Sequence, residues 1–412
     1  MADQYLLDQH LVAKTEPKAL KENIVVWGNF RVTVLKNRLF RIEKEENGHF
    51  CDQATQSVWY RNFEEVPFTV KKEQDSLTVD TGKAKLVLKE TIEESFVILD
   101  GNSIPLDNTK NLKGTYRTLD CCDGEWWIFK GGKKRIVLEN GVASENGVAV
   151  LDDSLSLVLE KNGTLNIRSF PEQDIYIFAY GHNYREAVKA LFQISGCTPL
   201  IPRFALGNWW SRYHAYTEKE YLHVMDDFEE QEIPFTVATV DMDWHWSKTL
   251  DQEKGITKQG KNSEFYGGND GWTGYSWNTR LFPDYRRFLK VLHEKNLHVT
   301  LNLHPALGVR YFEDKYSEMA EAMGVDPVTE KQIPFDIADS RFINAYFRVL
   351  HKPLEHDGVD FWWIDWQQGN DSKLEGLDPL WALNHYHFLD NGVGQEPLIL
   401  SRYSGIGSHR YP

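Results

Sequence analysis

The pattern of hydrophobic and polar positions divides the chain near residue 203. From Ile24 to about Tyr180, short runs rich in Val, Ile, Phe and Tyr are separated by Gly, Asn and Asp turn signals. Many short strands at such a spacing are typical of an antiparallel sandwich. We therefore predict a β-sandwich over residues 24–183, preceded by a polar N-terminal arm over residues 1–23.

A helical period follows the predicted sandwich. Between residues 184 and 195, Ala187, Ala190 and Leu191 fall on one helical stripe. Glycine and proline residues then interrupt the pattern. We therefore predict a helical linker over residues 184–203.

After the predicted linker, strand-like and helix-like runs alternate along the chain. The five strand-like runs are residues 205–212, 234–244, 298–305, 361–366 and 397–403. One helical run follows Thr217 and Glu220, whose spacing is that of a capping box. Alternation of this kind predicts a parallel sheet with right-handed crossovers.

Each predicted strand of this region becomes polar at its carboxyl end. The polar residues are Ser211 with Arg212, Asp241 with Asp243, Asn302 with His304, Asp365 with Gln367, and Ser401 with Arg402. Barrel enzymes draw catalytic residues from the ends of several strands, whereas an open sheet usually carries a glycine-rich phosphate loop at one switch point. No such loop motif occurs in the sequence. We therefore predict an α/β barrel of the (β/α)8 TIM type over residues 204–412, incomplete at its C-terminus after about its fifth strand.

Composition argues against several classes of partner. The chain of 412 residues has a net charge of −15 and no long Lys/Arg cluster, which disfavours nucleic acids and anionic membranes. The four cysteines show no C-x-x-C spacing, so they give no zinc signature. Neither a signal-peptide pattern nor an apolar run of membrane-spanning length is present, so we expect a cytoplasmic protein.

The run from Phe361 to Trp366 is apolar on both faces except for one acid, Asp365. A carboxylate in a strand buried on both sides needs a partner, because burying it alone is costly. The acid either caps the next loop, pairs with an arginine or performs chemistry. Arg402 ends another apolar strand and likewise needs a carboxylate or a ligand. We predict that Asp241, Asp365 and Arg402 converge on one pocket.

Other polar and aromatic residues leave several interpretations open. Asp241, Asp243 and His245 alternate, so they share one face if the strand continues that far. They could bind sugar hydroxyls, hold a metal ion or pair with arginines. His304 could be a hydrogen-bonded structural residue or a ligand contact. Trp272 lies in a long loop, where it could pack the loop down or serve function.

Carboxylates among aromatic residues, without a Ser-His-Asp or Cys-His arrangement, indicate glycoside hydrolysis. Three segments resemble motifs of glycoside hydrolase family 31. FWWIDWQQG resembles the nucleophile strand of that family, VDMDWHW its second-strand sugar-binding motif, and LSRYSG the strand with its sugar-contacting arginine. In that family a β-sandwich, of the galactose-mutarotase type, precedes the barrel.

The resemblance implies a retaining exo-α-glycosidase that hydrolyses O-glycosyl bonds of α-glucosides or related α-linked oligosaccharides, without a cofactor or metal ion. It implies that Asp365 is the nucleophile and that Asp241 and Arg402 bind the sugar. The remaining candidate substrate-binding residues are Asp243, Trp244, His304 and Trp363.

Two departures from the family pattern affect this hypothesis. Trp-Gln-Gln follows Asp365 where many members have Met-Asn-Glu, which leaves open α-xylosides, α-galactosides and α-N-acetylgalactosaminides as substrates. The acid/base aspartate of the family is expected beyond Pro412, so we expect residues 1–412 alone to be inactive. Two alternatives from other classes are a noncatalytic carbohydrate-binding protein and a metal-dependent barrel hydrolase that uses the Asp and His residues after the second strand.

Overall fold

The computed structural model describes residues 6–114, 139–246, 272–366, 368 and 372–411. The chain forms two compact units. The antiparallel unit consists of Ala13–Thr198 with Ser404–Arg410, and the parallel unit consists of Pro199–Tyr403 with the chain up to Val12 and from Tyr411 onward. Each unit therefore contains segments that are distant in sequence.

Short strands make up most of the antiparallel unit. They are β1 Ile24–Trp27, β2 Phe30–Lys36, β3 Leu39–Lys44, β4 Ala54–Thr55, β5 Thr69–Lys72, β6 Leu77–Asp80, β7 Lys85–Leu88, β8 Phe96–Leu99, β9 Asn102–Pro105, β10 Asn111–Lys113, β11 Asn140–Ser144, β12 Ala149–Asp152, β13 Val158–Leu159, β14 Leu165–Asn166 and β15 Gln173–Phe178. Two antiparallel sheets of five strands have the orders β1-β2-β3-β15-β12 and β5-β6-β7-β8-β9. Two smaller sheets have the orders β10-β11 and β14-β13-β4.

The two larger sheets contribute side chains to one apolar cluster. Val32 and Ile42 come from the first sheet, and Leu77, Val79 and Leu86 come from the second. Leu77 and Val79 are fully buried while the residues between and after them in β6 are half-buried, which is the alternation expected of a strand with one face in a core.

Helix α1 spans Tyr184–Ser195 and belongs to the antiparallel unit. Ala187, Ala190 and Ile194 on its buried stripe join a cluster that includes Leu35 and Tyr176. The helix therefore packs into this core, whereas the sequence pattern placed it in a linker. Proline and glycine residues mark where a helix ends, but they do not show which core its apolar stripe joins.

A buried ion network runs along the first five-stranded sheet. Asp174 on β15 accepts hydrogen bonds from Arg41 Nε (2.8 Å) and Nη2 (2.7 Å), and from Arg168 Nη1 (2.6 Å). Arg31 and Glu43 form a second bidentate pair in the same region. Burial alone would raise the pKa of Asp174, but the adjacent arginines outweigh it and hold that pKa far below its ordinary range.

The described residues of the parallel unit form five strands, β16 Trp209–Trp210, β17 Val237–Val240, β18 His298–Leu303, β19 Phe361–Ile364 and β20 Ile399–Ser401. Each strand pairs in parallel with its neighbour in chain order. Its helices are α2 Glu218–Glu230, α3 Tyr285–Glu294, α4 Tyr316–Met323, α5 Ser340–Ala345, a π-helical segment Tyr346–His351, α6 Lys352–Asp357 and α7 Pro379–Asn391. The predicted alternation of parallel strands and helices is confirmed.

Two local predictions in this unit are also confirmed: the capping box at Thr217 and the buried strand that precedes Asp365. Thr217 and Glu220 form the capping box that starts α2, with each side chain bonded to the backbone N–H of the other. Strand β19 is covered on its helix-facing side, where Trp362 donates to Glu355 (2.9 Å) and its ring lies 4.7 Å from that of His351.

No helix among the described residues combines the length and the apolar character that crossing a membrane requires.

The first described residues belong to the parallel unit rather than to a free arm. Leu11 is fully buried, and the Asp8 carboxylate accepts two 2.9 Å hydrogen bonds from Arg348 in the π-helical segment. His10 Nε2 lies 2.9 Å from the Asp390 carboxylate on α7. The predicted arm of residues 1–23 is therefore divided, since residues from Ala13 onward group with the antiparallel unit.

We predict that Asp174→Asn lowers the free energy of unfolding of the antiparallel unit by about 3–5 kcal/mol at neutral pH, because it leaves buried arginines without their carboxylate. A folded-state pKa below the unfolded value stabilises the fold above the unfolded pKa, and this contribution is lost on acidification. The difference between variant and wild type should therefore shrink as the pH falls. Urea denaturation at several pH values measures it.

The control for Asp174→Asn is Lys85→Ala, which removes the partner of Asp80 in a pair that is 40% and 31% exposed. Exposed pairs contribute less than about 1 kcal/mol. Equal losses in the two variants would contradict a special role for the buried network.

Candidate active site

Asp365 follows β19 directly, at the carboxyl end of the parallel sheet. Its backbone N–H donates to Leu303 O (3.1 Å), so the residue continues the pairing with β18. Its Oδ1 accepts hydrogen bonds from Arg402 Nε (2.7 Å) and from the Trp366 backbone N–H (2.9 Å). The residue is 8% exposed, so this carboxylate is nearly buried but reachable from the strand ends.

The neighbouring strand β18 supplies two groups to the second carboxylate oxygen. Asn302 Nδ2 lies 3.5 Å from Asp365 Oδ2, and His304 Nε2 lies 3.7 Å from the same atom. Burial by itself would raise the pKa of Asp365, but the His304 imidazole and the Arg402 guanidinium outweigh it and lower that pKa below its ordinary value. Asp365 is therefore held as a carboxylate.

Asp241 directly follows β17, and its pKa is shifted in the opposite direction to that of Asp365. Its side chain accepts a hydrogen bond from the Met242 backbone N–H (2.7 Å). Burial raises the pKa of Asp241, and the negative charges of Asp365 and Asp243 raise it further. Asp241 and Asp365 both follow strands of the same parallel sheet, at its carboxyl end.

Asp241, Asp243 and His245 do not share one strand face, because the strand does not continue as far as that placement required. The strand ends at Val240, and Met242–Trp244 forms a 3-10 turn that Asp241 caps. His245 is fully buried, and burial lowers its pKa to about 3 although its ring also bonds to Trp246 O (2.9 Å). Among the residues that the structure describes, no group of three or more His, Cys, Asp or Glu side chains is arranged to hold a metal ion.

Trp244 does not line the site. Its side chain is fully buried, and its indole N–H donates to the Asn302 backbone carbonyl (2.8 Å). The indole also packs 5.2 Å from the ring of Trp277. The predicted substrate contact of Trp244 is therefore wrong, and its side chain instead packs against β18, the strand that carries Asn302.

Other aromatic rings pack against His304 and Arg402, the two residues that neighbour the Asp365 carboxylate. Trp272 lies with its ring 5.0 Å from that of His304 and 5.6 Å from that of Trp366. The Arg402 guanidinium carbon lies 5.3 Å from the centre of the Trp366 ring. Trp363 is half-buried and, by strand alternation, points to the same side of the sheet as Asp365.

Sequence reasoning missed Trp366 as a site residue and left Trp272 undecided. Both are tryptophans in a sequence with 14 of them, so their type alone gave no signal. Trp366 has a backbone φ of +56°, and Gln368, which is also left-handed, has a φ of +63°. The predicted polar residue Gln367 lies outside the described residues.

A model of the "Glycosyl hydrolases family 31 TIM-barrel domain" matches residues 198–412. An alpha-xylosidase of Saccharolobus solfataricus is 21% identical in an alignment of 235 positions that covers 54% of this chain and 27% of the relative. An alpha-xylosidase of Emericella nidulans is 22% identical in an alignment of 300 positions that covers 65% of this chain and 35% of the relative. The chain thus matches about a third of the length of these curated relatives.

Solved structures of the same family share the fold. A GH31 alpha-xylosidase from a soil metagenome, complexed with xylose, has a TM-score of 0.60 at 14% identity, covering 94% of this chain and 65% of that one. A GH31 dextranase of Flavobacterium johnsoniae, complexed with isomaltotriose, has a TM-score of 0.60 at 12% identity, covering 99% and 56%. Since the family model matches residues 198–412 of a chain of 412, more than half of it, the chain belongs to glycoside hydrolase family 31.

Proposed function

We propose that this chain carries the nucleophile and the sugar-binding groups of a retaining exo-α-glycosidase, with Asp365 as the nucleophile. The observation that carries the proposal is the state of Asp365, a nearly buried carboxylate kept ionised by Arg402 and His304. A protonated carboxyl group cannot attack an anomeric carbon, so a lowered pKa is what this role requires.

In the proposed reaction the Asp365 carboxylate attacks the anomeric carbon and displaces the leaving group. The resulting covalent glycosyl-enzyme is then hydrolysed by water, with net retention of configuration. The leaving oxygen needs a proton from a second carboxyl group. The family resemblance implies that an aspartate has this acid/base role.

Asp241 and Arg402 are proposed to bind sugar hydroxyls beside the nucleophile. The Asp241 carboxyl is fixed by the Met242 N–H, and its oxygens can accept hydrogen bonds from sugar hydroxyls. Arg402 uses Nε for Asp365 and is 39% exposed at its side chain, which leaves its Nη groups accessible to a ligand. Asp243, His304 and Trp363 stay candidate sugar contacts.

The family also suggests a domain type for each of the two units. We propose that the antiparallel unit is the β-sandwich of galactose-mutarotase type that precedes the barrel in this family, since its two larger sheets share one core. We propose that β16 to β20 are the first five strands of a (β/α)8 barrel, which the match to the family's barrel domain supports.

The proposed substrates are α-glucosides or related α-linked oligosaccharides. α-Xylosides are the second candidate, because the curated relatives described above are alpha-xylosidases. The solved relatives include both an alpha-xylosidase and a dextranase, so the shared fold supports either class. A panel of aryl α-glycosides with different sugars decides between them.

We predict that Asp365→Asn, in the protein expressed from its complete reading frame, loses hydrolysis of an activated aryl α-glycoside by on the order of 10⁴-fold or more. The substitution is nearly isosteric, so the fold should be retained, but the amide cannot form the covalent intermediate. The control is Asp227→Asn on the surface of α2, where the side chain is 57% exposed. Near-normal turnover by Asp365→Asn would show that another residue is the nucleophile.

The same assay with and without EDTA tests the alternatives from other classes. We predict that chelation leaves the turnover of the wild type unchanged, because the proposed mechanism uses carboxyl groups alone. Turnover that EDTA abolishes would favour a metal-dependent hydrolase. Sugar binding without turnover of any aryl α-glycoside would favour a noncatalytic carbohydrate-binding protein.

We predict that Arg402→Met moves the acidic limb of the kcat/KM profile to higher pH, because kcat/KM reports the ionisation of the free enzyme. Removing the guanidinium removes a cause of the lowered pKa of Asp365, so the variant loses its carboxylate at pH values where the wild type keeps it. Lost sugar contacts lower the height of the profile but not the position of this limb. The control is Arg286→Met, whose side chain is 65% exposed, and an unmoved limb in Arg402→Met would contradict the proposed electrostatic role.

A further inference from the structure

The turn after Asp365 has an unusual backbone. Trp366 and Gln368 both adopt left-handed conformations, with φ of +56° and +63°, although neither is a glycine. Such conformations are unfavourable for residues with a side chain, so they persist where the surrounding contacts hold them in place. Gln368 is 6% exposed, so its side-chain amide is buried and needs hydrogen-bond partners within the protein.

The Gln368 side chain joins the loops that follow two neighbouring strands. Its Nε2 donates to the Asp365 backbone carbonyl, directly after β19. Its Oε1 accepts from the Ala306 backbone N–H at 3.0 Å, two residues after His304 in the turn that follows β18. One amide thus connects the residue proposed as nucleophile with the turn that carries the imidazole beside it.

The turn after β18 is also held from its other side. The Thr273 hydroxyl donates to the His304 backbone carbonyl and accepts from the Leu307 N–H at 3.2 Å. His304 therefore lies in a segment tied at Ala306 by Gln368 and at Leu307 by Thr273. Movement of this segment would change the distance between the imidazole and the Asp365 carboxylate.

We propose that Gln368 is a positioning residue, which fixes the turn of Asp365 against the turn of His304 and so sets the relative placement of the carboxylate and the imidazole. The inference rests on the proposed function for its catalytic consequence. Both ends of the amide are used by backbone groups, so Gln368 acts through Asp365 and His304 rather than by binding sugar. The contact requires one donor and one acceptor on the same side chain, which a glutamine provides.

This donor requirement makes Gln368→Glu a sharp test. An ionised glutamate has only acceptors, so it repels the Asp365 carbonyl, whereas a protonated glutamic acid again offers one donor and one acceptor. We expect kcat to fall by at least about tenfold at about pH 8, as for a lost and repelled hydrogen bond, and to recover towards wild type near about pH 4.5. KM should change little, because the sugar contacts are elsewhere.

A simple charge effect predicts the opposite pH dependence. A negative charge added beside Asp365 would raise the pKa of Asp365 and reduce activity mainly at low pH. The other charged or titratable groups identified around this turn, Asp365, His304 and Arg402, are the same in wild type and variant. Recovery of kcat on acidification therefore supports the proposed connection of the two turns through the hydrogen bonds of Gln368, and loss of kcat on acidification overturns it.

Two further variants complete the experiment. Gln368→Met keeps the approximate size without either hydrogen bond, so we expect a lowered kcat at every pH with KM almost unchanged. Gln231→Glu introduces the same charge at an exposed position after α2 and should follow wild type throughout. Wild-type kcat in Gln368→Met would overturn the proposal.

Thermal unfolding separates this inference from the proposed function. A glutamic acid that must stay protonated in the fold has a raised folded-state pKa, so its contribution to stability is present at low pH and is lost as the pH rises. The melting temperature of Gln368→Glu should therefore fall below that of wild type at about pH 8 and match it near about pH 4.5. A wild type that is expressed from its complete reading frame and shows no turnover overturns the proposed function alone, while equal melting temperatures of Gln368→Glu and wild type at both pH values overturn the positioning role of Gln368.

Discussion

A carboxylate that stays ionised while almost buried is the constraint around which the parallel unit is built. Water is largely excluded from Asp365, so its charge has to be balanced by neighbouring groups. These groups come from three consecutive strands, with Asn302 and His304 after or within β18, Asp365 after β19 and Arg402 after β20. The balance exists only when these strands lie side by side with their carboxyl ends together, so the sheet order and the state of the carboxylate depend on each other.

The antiparallel unit also buries an ionised carboxylate, but there the neighbouring charges enclose it completely. Asp174 is fully buried, and arginines on its own side of the sheet occupy its oxygens directly. Asp365 has one close cation and two more distant partners, and it keeps a small exposed surface. The first arrangement has no capacity for a further ligand, whereas the second has. This contrast, rather than burial of an acid as such, distinguishes a structural carboxylate from a candidate nucleophile.

The sequence predicted those features that depend on local period and on position along a strand. Asp365 stood out because the neighbouring strands also end in polar residues, which a parallel sheet must bring together. The capping box at Thr217 was predictable because both of its bonds lie within four residues. The end of β17 was not predictable from the sequence. The alternating Asp and His residues look like a continuing strand, although the backbone turns directly after Asp241. The roles of Trp244 and Trp272 could not be separated either, because contacts with residues far along the chain decide that Trp272 packs beside His304 and that Trp244 is buried under β18.

The docking of the first residues on the parallel unit has a consequence for synthesis of the protein. Asp8 and Asn344 bond to each other across 336 positions of sequence, so Asp8 leaves the ribosome long before its partners exist. At translation rates of about 5–20 residues per second, that interval is roughly 17–70 seconds. The intervening antiparallel unit has its own core and can fold during this time. The apolar side chains of Leu7 and Leu11 have to stay unburied meanwhile, which makes the nascent chain, rather than the finished protein, the state in which this segment is most exposed to chaperones and proteases.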